Sequence, residues 1–367
     1  KARKVHYIQG RARFLNASSI EISKADGTLE RLGFRHAILA TGSTPSTIPI
    51  APQSPRVMDS TGALALADIP GRLLIIGGGY IGLELGQAYA TFGSKVSVVE
   101  MLPHLMAGAD PDLVRPLLKT LGAQFESIMV ETRVLAITAG ERDVTVRLAD
   151  KAGVETEQTY ERVLISVGRK PNTANLGLEH TRVEVDARGF VRVDTQRRTR
   201  EPAIFAIGDI AGQPMLAHKA THEGKVAVEA IAGRKAEYSP RAMPAVVFTH
   251  PEIAWTGLTE RESLEQGLDI TVAKFPWAAS GRAMTLGGSE GLTKVICARE
   301  DGRILGVGIT GPGAGELIAE GTLAIEMGAV AEDLAQTIHA HPTLSETVME
   351  AAEDATGHAT HFIKRRK

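Results

Sequence analysis

Near the C-terminus the sequence reads HAHPTLSE, residues 339–346. His341 stands beside a proline, and a carboxylate, Glu346, follows five positions later. An imidazole on a rigid step with an acid placed to orient it has the makings of a general base. The natural client of a neutral imidazole is a thiol, which is mostly protonated at neutral pH because its unperturbed pKa is about 8.5. Yet the chain holds one cysteine, Cys297. It lies in TKVICARE, an alternating run that predicts a strand and a buried, inert thiol. A single cysteine excludes an intrachain disulfide and fits a reducing compartment, the cytoplasm or, in a eukaryote, the mitochondrial matrix. His339-x-His341 alone makes a poor metal site, and His250 and His361 show no ligand spacing, so no metal is expected.

A second spacing suits a phosphate. In LLIIGGGYIGLELGQAYATFGSKVSVVE an apolar strand, Leu73–Ile76, runs into Gly77-x-Gly79-x-x-Gly82. A helix to about Phe92 and a second strand ending at Glu100 follow. Strand, glycines, helix, strand and terminal acid stand in the order of a dinucleotide site. Gly77 permits the tight turn, Gly79 lets a pyrophosphate approach the backbone, and Gly82 lets helix and strand pack. The phosphate charge meets the helix N-terminus. Glu100 would accept the ribose hydroxyls and repel a 2′-phosphate, with no arginine at that strand end to compensate, so NAD is expected over NADP. A third candidate is Asp209 in IFAIGDI, a carboxylate at a strand's C-terminal end, where open α/β sheets bind ligands.

These residues need elements to hold them. The chain has 367 residues, 43% hydrophobic and 23% charged, enough for two or three domains with large cores. Forty-one basic residues nearly cancel 43 acidic ones, so no global field points to nucleic acid. No run is long and apolar enough for a membrane helix, and neither partner class is expected. Residues 1–50 carry the runs VHYI, SSIEIS and FRHAILATG, which predict an antiparallel meander feeding one buried strand. A Pro-rich link, PSTIPIAPQSPR, predicts a domain boundary. A helix over 110–122 has Asp110 as its N-cap and Leu113, Leu117, Leu118 and Leu121 on one face. Strands ETRVLAI, DVTVRLA and YERVLIS follow. MLAHKATHEGKVAVEAIAG predicts an amphipathic helix; from about Met243 a meander begins, then helices at 315–328, 331–338 and beyond Ser345. Expected divisions are 1–50, 51–172, 173–242 and 243–367. The chain also repeats itself: AILATGSTP (37–45) and VLISVGRKP (163–171) are both strands ending in Gly-x-x-Pro. The second closes the unit opened at Gly77. The first is expected to close an equivalent unit whose opening strand and glycine turn lie before Lys1, in keeping with the missing initiator methionine.

Together ATGSTP, GGGYIGLELG, GRKPN, AIGDI, MLAHKATHEG, THPEIAWTGLTE and HAHPTLSE resemble, in order, the pyridine-nucleotide disulfide oxidoreductases, most closely the branch that oxidises dihydrolipoyl groups. The resemblance implies an α/β protein with Rossmann-like FAD and NAD domains, the former incomplete, and a C-terminal α+β dimerisation domain. It implies FAD beside Thr41, Gly42 and Ser43, the ribitol on Asp209, and the flavin along Met215, Leu216, Ala217 and His218. NAD would be held by Gly77, Gly78, Gly79, Tyr80, Ile81, Gly82, Glu84, Glu100, Val134 and Gly168, with Glu84 near the nicotinamide. His341 would be the proton acceptor and Glu346 the group that orients it. The implied partners are a second copy of the chain and the lipoyl domain of a 2-oxoacid dehydrogenase complex or a glycine-cleavage carrier. The family's first glycine turn and its redox cysteine pair are absent from this sequence. The chain is therefore expected to be a truncated, inactive form of such an enzyme. A soluble transhydrogenase of the same family, or a non-catalytic NAD-binding and dimerising fragment, is the alternative.

Overall fold

The computed structural model describes residues 4–362. The chain separates into two compact units, one made of residues up to Thr44 together with Arg169–Ser239, the other of Pro45–Gly168 with residues from Pro240 onward.

In the first unit, Arg11–Asn16, Ser19–Ser23 and Leu29–Gly33 form an antiparallel three-stranded meander. The turn at Asp26-Gly27 is closed by the Thr28 amide donating to Asp26 Oδ1 at 2.9 Å, with Gly27 at φ +82°. The run VHYI does not form the expected strand. Val5 and Tyr7 are exposed, and alternation without a hydrogen-bonded neighbour does not hold a strand. Ala37–Leu39 pairs in parallel with Ile204–Ala206. Around them Phe14, Leu39, Leu178, Val191, Ile204 and Ile210 make the core. The helix Ala217–Ile231 lays Ala227 and Ala230 against Phe205.

The second unit opens on a parallel sheet whose strand order is Val57–Met58, Arg162–Ile165, Arg72–Ile76, Lys95–Val99, Ser127–Met129. Its strands are apolar on both faces because both faces are covered. Leu73, Ile75, Val96, Val98 and Leu164 meet the helices Tyr80–Thr91 and Pro111–Gln124. Their neighbours Leu74, Ile76, Val99, Val163 and Ile165 meet an antiparallel sheet of Arg133–Ala139, Val144–Ala149 and Glu155–Tyr160. On the helix Pro111–Gln124 the buried face is Leu113, Val114, Leu117 and Leu121, while Leu118 is exposed. Asp110 is the N-cap residue, yet its side chain makes no capping bond. Its carboxylate accepts from the Glu260 amide at 3.0 Å and pairs with Lys294 at 2.7 Å, because a charged partner outcompetes an end-of-helix amide.

A second sheet of this unit runs Ala245–Val247, Ile253–Gly257, Ile304–Thr310, Leu292–Ala298, Ile270–Pro276, all antiparallel. The helices Ala314–Met327 and Glu346–Thr356 cover it through a core that includes Cys297, Val307, Ile318, Ala324, Val348 and Ala351. Cys297 is buried in its strand, as its alternating run suggests. Gly308 has no room for a side chain: a Cβ there would lie 2.3 Å from Leu113 Cδ1, where helix meets sheet.

The repeated tails end alike. Gly42 and Gly168 both have positive φ, +69° and +108°. The strands that follow them, Ser43–Pro45 and Arg169–Pro171, pair with each other.

Candidate active site and cofactor sites

His341 and Glu346 stand on a loop that enters the helix Glu346–Thr356. His341 Nδ1 lies 2.9 Å from Glu346 Oε1, and the other carboxylate oxygen accepts from the Thr343 amide at 2.7 Å. Burial pushes the Glu346 carboxyl up, but the Thr343 amide and the imidazole outweigh it and hold it below the usual carboxylate range. An ionised carboxylate can only accept, so Nδ1 carries the proton and Nε2 presents its lone pair. The ring is 81% exposed. The arrangement is a solvent-facing proton acceptor with its tautomer set by an acid. His339, two residues away, points elsewhere: its ring nitrogens meet Thr337 O at 2.8 Å and Glu320 Oε1 at 2.7 Å.

The glycine turn borders a cavity of about 650 Å³ lined by Gly77, Gly79, Glu100, Val134 and Gly168, with Ile48, Ser166 and others. The glycines differ in what surrounds them. A Cβ on Gly77 would lie 2.5 Å from Ser166 O, and one on Gly82 would lie 2.4 Å from Gly77 O. At Gly79 nothing lies within 4 Å. Two of the positions are closed by packing and the third is open to a ligand. The helix Tyr80–Thr91 starts here, with Gly79 as N-cap and no side-chain cap bond. Glu100 is held by two amides, Gly78 N at 2.7 Å and Leu102 N at 2.8 Å. Gly78, Tyr80, Ile81, Gly82 and Glu84 do not line the cavity. Glu84 instead accepts from the Phe248 amide at 2.8 Å, and its burial raises its carboxyl pKa against that bond.

In the first unit Ser43 Oγ donates to Asp209 Oδ2 at 2.5 Å while accepting from Arg169 Nε at 2.7 Å. Thr41 and Asn172 exchange bonds, Thr41 Oγ1 to Asn172 O at 2.7 Å and Asn172 Nδ2 to Thr41 O at 3.0 Å. The residues 41–43 and Asp209 therefore share one edge. Met215 and Leu216 lead into the helix that begins at Ala217 and His218.

Residues 1–224 match the family described as pyridine nucleotide-disulphide oxidoreductase, and 243–352 match its dimerisation domain. The chain belongs to this family. The dihydrolipoyl dehydrogenase of Vibrio cholerae is 47% identical over 98% of this chain and 76% of the relative. That of Haemophilus influenzae is 48% identical over 98% and 75%, and that of Geobacillus stearothermophilus 46% over 100% and 77%. Among solved structures, the HOCl-induced flavoprotein disulfide reductase RclA from Escherichia coli superposes with a TM-score of 0.86 at 28% identity, covering 94% of this chain and 78% of that one. LpdA from Mycobacterium tuberculosis gives 0.86 at 27%, covering 95% and 76%.

The family's cofactors are FAD and NAD. The donor sets fit both. The open cradle at Gly79 and the helix N-terminus, which has no side-chain cap, suit a pyrophosphate, and a carboxylate beside a hydroxyl, Asp209 with Ser43, suits a polyol. The motifs do not name what holds Asp209 in place. Glu223, fully buried, accepts from the Gly208 amide at 2.6 Å and pairs with Lys219 at 3.0 Å and Arg197 at 3.1 Å. Lys219 donates in turn to Gly208 O at 3.1 Å. One helix thus grips both ends of the glycine before Asp209. The trace of this in sequence is a Lys and a Glu four apart on the helix's apolar face. Arg133 was missed as well: it lines the same cavity as Glu100, so an arginine does border that pocket, from a strand further along the chain.

Proposed function

We propose that this protein oxidises dihydrolipoyl groups with NAD+ as the terminal acceptor. It acts as a homodimer in the cytoplasm, on the lipoyl domain of a 2-oxoacid dehydrogenase complex or a glycine-cleavage carrier. The observation that carries the reading is the His341–Glu346 pair, an exposed Nε2 acceptor behind an ionised carboxylate. A substrate thiol gives its proton to Nε2, and Glu346 stabilises the imidazolium that forms. The thiolate attacks a sulfur of the redox disulfide that the family resemblance implies and that this sequence, with its one cysteine, does not itself hold; exchange leaves the substrate as a disulfide and that pair as a dithiol. Bound FAD and NAD+ supply the onward electron and hydride transfer, held by Ser43 and Asp209 and by the Gly77–Gly82 turn respectively. Cys297 does not serve as the disulfide sulfur: burial pushes its thiol up to about 12 and it has no second cysteine.

The test is NADH formation from dihydrolipoamide and NAD+ by holoenzyme that carries the redox disulfide. His341→Ala should lower kcat by about 10² or more while NAD+ affinity stays the same. Full turnover in that variant would remove the proposal's basis.

A further inference from the structure

The dinucleotide cavity has charges of its own. Among the residues that line it, Glu100 is the one carboxylate and Arg133 the one cation. The two are brought together by backbone pairing: the Thr132 amide donates to Glu100 O at 3.0 Å, and Arg133 follows directly as the first residue of the strand Arg133–Ala139. The carboxylates nearby are engaged. Glu131 is held by Lys151 at 2.9 Å, and Glu100 by its two amides. Among the described residues the Arg133 backbone is paired with Ala149 in the sheet, while its side chain has no hydrogen-bond or ion-pair partner and is exposed. A dinucleotide brings two phosphate charges into a cavity that already holds a carboxylate, so an uncommitted guanidinium on the wall is the available counter-charge. Its plane also suits the face of a purine.

We propose that Arg133 is a specificity-determining residue of this cavity. It engages the adenosine half of a pyridine dinucleotide and partly offsets the repulsion that Glu100 exerts on a 2′-phosphate. The inference rests on reading the cavity as the NAD site. Discrimination between NADH and NADPH is then a balance of two opposed side chains, of which Glu100 also accepts from the Gly78 amide of the glycine turn, a bond that Glu100→Gln can keep through its amide oxygen.

Calorimetric titration of the purified protein tests this with NADH, NADPH, ADP-ribose and reduced nicotinamide mononucleotide. Arg133→Gln should weaken NADH and ADP-ribose by about fivefold, the scale of one partly exposed cation–ring contact. It should weaken NADPH more, widening the NADH preference, and leave the mononucleotide unchanged. Glu100→Gln should narrow the preference. Unchanged ADP-ribose affinity in Arg133→Gln overturns the role of Arg133, as does an equal loss for the mononucleotide. If the unsubstituted protein binds none of the dinucleotides, the reading of the cavity itself is overturned, and the proposal with it.

Discussion

At the scale of single residues, the chemistry depends on which atom of each side chain is committed. Glu346 spends one oxygen on a backbone amide and the other on His341, which leaves the imidazole one free nitrogen. Glu346→Gln keeps the shape but offers an amide that can donate to Nδ1 and reverse the tautomer. In holoenzyme we expect kcat with dihydrolipoamide to fall about 10- to 100-fold, with little change in melting temperature. Stopped-flow reduction of the enzyme by dihydrolipoamide is the measurement, and wild-type rates would exclude an orienting role for Glu346. Because the Glu346 carboxyl is held below the usual carboxylate range, it stays ionised throughout the neutral pH range in which His341 works. Glu84 is the opposite case. Burial raises its pKa, so its ionised form costs stability at neutral pH. Glu84→Gln keeps an acceptor for the Phe248 amide and should melt at the same or a higher temperature at pH 7.

At the scale of elements, the strand–turn–helix at 72–91 separates packing from binding. A Cβ on Gly82 meets the backbone oxygen of Gly77, which has no flexible end to move aside. Gly82→Ala should cost about 1–3 kcal/mol and show as a lower melting temperature. Gly79→Ala meets nothing. It should melt like the parent protein yet bind NADH at least about tenfold less tightly, since on the proposed reading the methyl stands where the pyrophosphate would come. A loss of stability at Gly79 or of binding alone at Gly82 would reverse these assignments. On the helix Ala314–Met327, Leu323 is 62% and Met327 75% exposed, one turn apart on one side. A pair of apolar side chains so placed in a dimerisation domain suits a second copy. Sedimentation of a Leu323→Glu, Met327→Glu variant should show a larger monomer fraction than the parent at micromolar concentration. An unmoved equilibrium would place the contact elsewhere.

At the scale of the whole molecule, a network of charges ties the helix Pro111–Gln124 to the C-terminal sheet. Lys294 is buried, and its ammonium lies 2.7 Å from Asp110, Asp112 and Glu260 alike. Lys274 joins Asp112 at 2.6 Å and Glu260 at 3.0 Å. The three carboxylates cluster as metal ligands do, but an ammonium occupies their centre. Burial pushes Asp112 and Glu260 up, and the two lysines more than reverse it, so both carboxyls titrate below their ordinary values. Burial likewise lowers Lys274, and its two carboxylates outweigh that. A lowered carboxyl stabilises the fold above its unfolded pKa of about 4, and that share is lost as the pH falls through the folded value. A raised lysine stabilises below about 10.4 and loses its share as the pH rises beyond. Lys294→Met leaves three carboxylates to one lysine and should cost about 3–5 kcal/mol at pH 7. Its melting deficit should narrow as the pH falls from 7 toward 4, because protonation relieves the crowding. A deficit that holds constant over that range would show the ion network to be incidental.

What the sequence determined by itself was local. Glycine spacing, strand ends and the His-Pro step are set by backbone conformation over a few residues, so the turn at Gly77–Gly82, the buried Cys297 strand and the His341–Glu346 spacing could be read directly. VHYI shows the limit of that reading, since alternation predicts a strand only where a neighbour supplies hydrogen bonds. Tertiary structure alone decided what crosses long stretches of chain: Arg133 against Glu100, Glu84 on the Phe248 amide, Lys294 among carboxylates from two other segments. Charge and hydrogen-bond partners are chosen by proximity in space, and no local period records them.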